Sequence, residues 1–431
     1  MPKIRLLLLL SVLVLAGCAA PPTQTPILQP TATLAATATN AAPAPTATQA
    51  TATAAATITA APQATASETA APAITATAVT PTSAAPSPTP AVSDPLTGLA
   101  VSDPSVLDRR PLAIKIANFP RRVRAAQTGL SMADNVWEHY AEGGTTRFTA
   151  IFMSRGPDRI GNVRSARLLD TYLGQAYQAM LVASGSSTGT LNRLKQTDFF
   201  NRVIAEATGY RGCPILCREA PAAETTDKLF TSAPAVWDLA TKLKLGGRQD
   251  LEGFAFAEQP PAGGTPIATA HIDWQVNNTV AEWRYSPDTH NYARWIDSDT
   301  MPTLTQHIDA LNGQALSAAN VVVVYAKYVT SNIHESDSGN KLYFSYDIQL
   351  YGSGPAKLFR DGQMYDLTWT RDQTKGGLPQ FTDASGQVVA FRPGNIWFEA
   401  VSSMSVNVPG GDTFTVRVHV PDPTIAATAQ P

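Results

Sequence analysis

The sequence predicts an α+β protein: an N-terminal layered α/β domain followed by a mainly β C-terminal domain, both carried behind a long disordered tether. Three observations lead there. Residues 19–93 are almost entirely Ala, Thr and Pro, with Ser and Gln between them. From 94 to 258, helical and strand-like hydrophobic periods alternate, and from 267 to 420 only short alternating runs bounded by turn residues remain.

The chain starts with Lys3 and Arg5, an apolar run from Leu6 to Leu15, and then small residues. This is the three-part layout of a secretory signal peptide, here assigned to residues 1–17, and the run is too short to span a bilayer. Leu15-Ala16-Gly17-Cys18 resembles the lipobox of bacterial lipoproteins, where cleavage precedes a cysteine whose thiol carries diacylglycerol. No later segment reaches the roughly 18 uninterrupted apolar residues of a spanning helix. The expected location is therefore the extracytoplasmic face of the cell membrane, with Cys18 as the lipid anchor.

Residues 18–93 contain no aromatic side chain and one charge, Glu68. They cannot bury enough apolar surface to offset chain entropy, and their prolines favour extended spacing. The Thr- and Pro-rich composition also suits O-glycosylation.

In the remaining chain, Leu112 to Ala117 reads as a strand. Ser131 to Ala141 reads as a helix with Ser131 at its N-cap, and Phe148 to Met153 as a second strand. Arg164 to Tyr177 reads as a helix, Met180 to Ala183 as a buried strand, and Val236 to Leu243 as another helix. Gln259-Pro260-Pro261-Ala262-Gly263-Gly264 marks a boundary between domains 94–258 and 267–420. Beyond it, strands are expected at His271–Trp274, Val280–Tyr285, Tyr292–Ile296, Val321–Val329 and Leu342–Leu350, with turns at Asp361-Gly362, Gly376-Gly377, Ser385-Gly386 and Gly410-Gly411. Residues 421–431 return to tether-like composition.

Acidic and basic residues nearly cancel, 34 against 32, which argues against nucleic acid as a partner. Arg121, Arg122 and Arg124 form the one basic cluster and read as a solvated loop. After Cys18 the remaining cysteines are Cys213 and Cys217, read as a local disulfide in an oxidising compartment. No cofactor or metal site is expected, because His271, His290, His307 and His334 lack ligand spacing. Trp274, Trp283, Trp295, Trp369 and Trp397 serve as core or as a carbohydrate platform, with core the commoner use.

Chemistry concentrates between Ala133 and Arg167. On the expected helix Asp134, Glu138 and Glu142 line one face, opposite Arg147, Arg164 and Arg167. Three readings remain open. In the first these residues form a structural ion-pair network, with Glu142-Gly143-Gly144 as a helix C-cap. In the second Glu138, Glu142, Arg147, Arg164, Ser165 and Arg167 bind an anionic ligand, aided by backbone N–H groups at a helix start after Gly161. In the third Glu138 and Glu142 act as the acid and base of a cell-wall hydrolase or transferase, or hold a divalent cation. The turn Ser184-Gly185-Ser186-Ser187-Thr188-Gly189 fits neither a nucleophile elbow nor a phosphate loop.

Pro95-Leu96-Thr97-Gly98-Leu99, Glu142-Gly143-Gly144-Thr145-Thr146-Arg147-Phe148, Ile160-Gly161-Asn162-Val163-Arg164-Ser165-Ala166-Arg167 and Phe391-Arg392-Pro393-Gly394-Asn395-Ile396-Trp397 resemble the YerB-like bacterial lipoproteins. The resemblance runs from Asp94 to Val401 and implies two domains of unknown function. The expected role is a non-enzymatic envelope module that binds an anionic or carbohydrate cell-wall ligand or a partner protein, with the hydrolase and a pure scaffold as alternatives.

Overall fold

The computed structural model describes residues 92–219, 228–300, 302–338 and 341–424. The predicted signal peptide, Cys18 and nearly all of the tether lie outside them, as do residues 425–431 of the tail. No described helix is long and apolar enough to cross a membrane.

The first half supplies β1 (Leu112–Ala117), β2 (Asn135–Ala141), β3 (Thr145–Phe152), α1 (Leu169–Ala176), β4 (Met180–Val182), α2 (Thr188–Lys195), β5 (Val203–Ile204) and α3 (Ala233–Lys242). The second half supplies β6 (Thr269–Asp273), β7 (Val280–Ser286), β8 (Asn291–Asp297), β9 (Asn320–Ser338) and β10 (Lys341–Gln349). It continues with β11 (Gly352–Arg360), β12 (Gln363–Arg371), β13 (Ile396–Ser402), β14 (Val406–Gly410) and β15 (Thr413–Arg417). The described chain is thus mostly β with few, short helices.

The expected helix over Ser131–Ala141 is a strand, β2. Val136, Trp137, His139 and Tyr140 suit a pleated surface, and the Gly143-Gly144 pair, both at positive φ, closes a tight hairpin into β3. Glu142-Gly143-Gly144 is accordingly a hairpin turn, not a helix cap. The helix expected from Arg164 starts only at Leu169; the segment before it is tied to neighbouring segments, with Val163 N–H bonded to Leu229 O, Arg164 N–H to Lys115 O and Ala166 N–H to Gly185 O.

Among the described residues, a 12-stranded sheet has the spine β12-β11-β9-β13-β2-β3-β1-β4-β5. Its centre is the parallel pairing of β2 with β13, in which Trp137 faces Phe398 and Glu138 faces Glu399. The two halves predicted as separate domains therefore share one continuous sheet. A second sheet, β8-β7-β6-β15-β14 with short strands at the β8 edge, comes entirely from the second half.

Core aromatics fill both faces of the large sheet. Trp137 stacks on Phe398 at 4.1 Å, and Trp397 meets Trp283 of β7 edge-on at 5.0 Å. Burying each such ring contributes roughly 2–3 kcal/mol. Trp274, Trp283, Trp369 and Trp397 are all fully buried, so the carbohydrate-platform reading does not hold for them; of the five, only Trp295 keeps partial exposure. Cys213 and Cys217 are joined by a disulfide.

Candidate functional site

Side chains alternate across a strand, so β2 sends Glu138 to one face of the large sheet and His139 to the other. On the face that meets the second sheet, Glu138 lies directly opposite Glu399. Two like charges in cross-strand register repel, and Arg294 of β8 answers both, with Nη2 at 2.5 Å from Glu138 and Nη1 at 3.5 Å from Glu399. None of the three side chains has exposed surface. Asn118 and Thr146 donate to Glu138 Oε1, and Trp283 Nε1 donates to Glu399 Oε1. Phe148, Trp283 and Trp397 surround the guanidinium. Burial, reinforced by the Glu138 charge, pushes the Glu399 carboxyl well above its ordinary range. A Glu399 that keeps its proton spares Arg294 a second buried negative charge.

This geometry removes Glu138 from any contact with an external ligand. It also parts the expected acid–base pair, because Glu138 is sealed between the sheets while Glu142 stands beyond the end of β2 and pairs with Arg167. Arg124, expected in a solvated loop, is also buried and bridges to Asp297 of β8 at 3.1 Å.

The opposite face carries a second charged cluster. Lys115 Nζ lies 3.0 Å from the Asp170 carboxylate, meets His139 Nε2 and donates to Thr149, whose hydroxyl in turn donates to Asp170. Burial pushes the Lys115 ammonium down to about 8, against the opposing pull of Asp170, and burial with the Lys115 charge holds His139 neutral. The other oxygen of Asp170 accepts the Arg167 backbone N–H at 2.6 Å. The Arg164–Arg167 segment is thus fixed at both ends, through Lys115 O and Asp170.

At the rim of this face stand the remaining predicted residues. Arg167 pairs closely with Glu142 through Nε and more loosely, at 3.4 Å, with Glu335 of β9. Arg147 Nη1 donates to Ser165 O at 2.7 Å, and Ser165 Oγ faces Ser184 Oγ at 3.4 Å. Arg147, Arg164 and Ser165 keep partial exposure. Burial, then the Arg167 charge, hold the Arg147 guanidinium well below its ordinary range. The helix starts only at Leu169, and the backbone N–H groups of Arg164, Ala166 and Arg167 are already bonded to Lys115 O, Gly185 O and Asp170. Among the described residues no group of three or more His, Cys, Asp or Glu has metal-holding geometry.

Sequence reasoning found Glu142, Arg147, Arg164, Ser165 and Arg167, which the fold does bring together, and placed Glu138 wrongly among them. It missed Arg294, Glu399, Lys115, Asp170 and Glu335. Glu142-Gly143-Gly144-Thr145-Thr146 carried a usable signal, a Gly-Gly turn between β-branched and aromatic runs, which would have moved Glu138 onto a strand.

The profile described as the N-terminal domain of protein of unknown function DUF3048 matches residues 96–246, and its C-terminal counterpart matches 270–398. This chain belongs to the DUF3048 family. Within the DUF3048 match, the N-terminal half supplies Glu142, Arg147, Arg164 and Arg167, and the C-terminal half supplies Arg294 and Glu335. A curated relative, the lipoprotein YerB of Bacillus subtilis (strain 168), is 27% identical over 314 residues, covering 72% of this chain and 86% of that protein. The crystal structure of the Bacillus subtilis YerB protein matches with a TM-score of 0.58 at 25% identity, over 72% of this chain and 96% of that one.

Proposed function

We propose that this DUF3048 protein is a lipoprotein, anchored through Cys18 at the extracytoplasmic face of the membrane, whose rim arginines bind anionic groups of a cell-envelope polymer. The lipobox-like Leu15–Cys18 and the name of the Bacillus relative as a lipoprotein support the anchor. Replacing Cys18 with Ala should release the protein into the medium; continued membrane fractionation of that variant would refute the anchor.

The observation that carries the binding reading is the charge balance at the rim. Arg147, depressed first by its burial, also feels the like charges of Arg167 and Arg164, with the carboxylates of Glu142 and Glu335 opposing them. An incoming anion would ease that like-charge repulsion, and guanidinium forks suit oxyanions. Burial of Glu138 favours this reading over a hydrolase.

Sedimentation of the full-length protein with purified cell wall, before and after removal of the wall's anionic polymers, tests the proposal. Arg147→Ala should melt within a few degrees of the wild type yet lose co-sedimentation. Undiminished retention by that variant, or equal retention on stripped wall, overturns it.

A further inference from the structure

The strand β9 is 19 residues long, but only its first part belongs to the large sheet, pairing Val321–Val324 with β11 and Asn320–Ala326 with β13. From Lys327 onward it pairs with β10 alone. A two-stranded ribbon is marginally stable unless something supports it, and this one rests on the first half of the chain. Ile333 packs on the first turn of α2 so closely that a Cβ at Gly189 would stand 2.1 Å from its Cγ2. On β10, Tyr346 N–H donates to Glu142, and Asp347 accepts the Tyr172 hydroxyl of α1. The pairing slips between Thr330 and His334 and again between His334 and Ser336. Glu335 lies within that irregularity, where bulged strands re-aim side chains. Ser345 Oγ holds one oxygen of Glu335 at 2.7 Å, and the other reaches Arg167 at 3.4 Å.

We propose that the β9–β10 arm is a displaceable strap whose Glu335 carboxylate occupies the arginine cluster as an internal anion, and that the external ligand is a phosphate-bearing polyanion able to outcompete it. The inference rests on the anion-binding reading and adds the ligand class and its regulation. Of the two carboxylates on Arg167, Glu142 sits at the turn of the sheet's own β2–β3 hairpin and pairs the more closely with Arg167. Glu335 sits on the supported ribbon at the longer distance, so it is the one that yields. An external carboxylate gains no charge by replacing Glu335, and it competes with a tethered group at high effective concentration. A phosphate group offers more charge and more acceptor oxygens to the guanidiniums of Arg147 and Arg167.

The test is calorimetric titration of the full-length protein in neutral detergent micelles, at low salt, with acetate, inorganic phosphate and pyrophosphate. The wild type should bind pyrophosphate over phosphate and show no acetate binding. Glu335→Gln removes the internal competitor and should tighten phosphate and pyrophosphate binding roughly tenfold, the order expected for one unit charge a few ångströms away at the protein surface. Ile333→Ala loosens the arm without changing charge and should tighten both by a smaller factor; it decides the matter if Glu335→Gln melts early. Equal or weaker binding by both variants, with binding still abolished by Arg147→Ala, overturns the strap and leaves the anion site standing. Absence of phosphate and pyrophosphate binding in every variant overturns the anion site itself.

Discussion

Glu138 and Glu142 stand four residues apart at one end of the same hairpin, and each belongs to a group of two carboxylates around one arginine. Glu138, Arg294 and Glu399 sit between two sheets without exposed surface, whereas Glu142, Arg167 and Glu335 sit at the rim with side chains 6–10% exposed. The composition is identical and the consequences differ. In the interior, removing one partner strands a charge that water cannot reach, so the group acts as a fastener between the two halves of the chain. At the rim, solvent or a ligand can replace a partner, so the same chemistry remains exchangeable.

The harshest way to break this contrast is Arg294→Met. It leaves two facing carboxylates in a dry core and should cost about 3–5 kcal/mol of unfolding free energy at neutral pH, read by denaturant titration. A loss no larger than that of a rim variant would erase the distinction.

A subtler test uses pH. Glu399 is raised well above 4.5 and Asp134, also buried, well above 3.8. As pH climbs past those ordinary values the unfolded chain releases protons that the folded chain keeps, so these two groups make stability fall with rising pH until their folded values are passed. Glu399→Gln should flatten part of that slope and leave the share of Asp134; an unchanged slope would mean Glu399 is ionised in the fold. At the rim, Glu335→Gln should change unfolding free energy by about 1–2 kcal/mol, less than Arg294→Met, because Arg167 keeps Glu142. The floor of the series is the Arg159–Glu219 pair, 40% and 44% exposed. Glu219→Gln there should leave the melting temperature unchanged within error, since Arg159 also packs over the Phe230 ring.

Legibility in the sequence followed the range of the interactions involved. Strands β1, β6, β7, β8 and β10 were readable because alternation and turn residues are local signals, and the rim arginines were readable because Arg164, Ser165 and Arg167 share one short segment. β2 was misread because Asp134, Glu138 and Glu142 fit a helical face as well as a strand, and a polar residue at a fully buried position gives no sign of its burial. Glu335 was invisible: it lies 168 positions from Arg167 and reaches it only because β9 overshoots its sheet.

By itself the sequence determined that the second half is mainly β and which arginines cluster near Gly161. Each follows from composition or from neighbours within a few residues. The tertiary structure alone decided that β2 pairs with β13 to make one sheet from two halves, that Glu138 is a buried fastener, and that Glu335 faces Arg167. These outcomes depend on which distant strands meet, and the free energy of such pairings resides in contacts that no local pattern encodes.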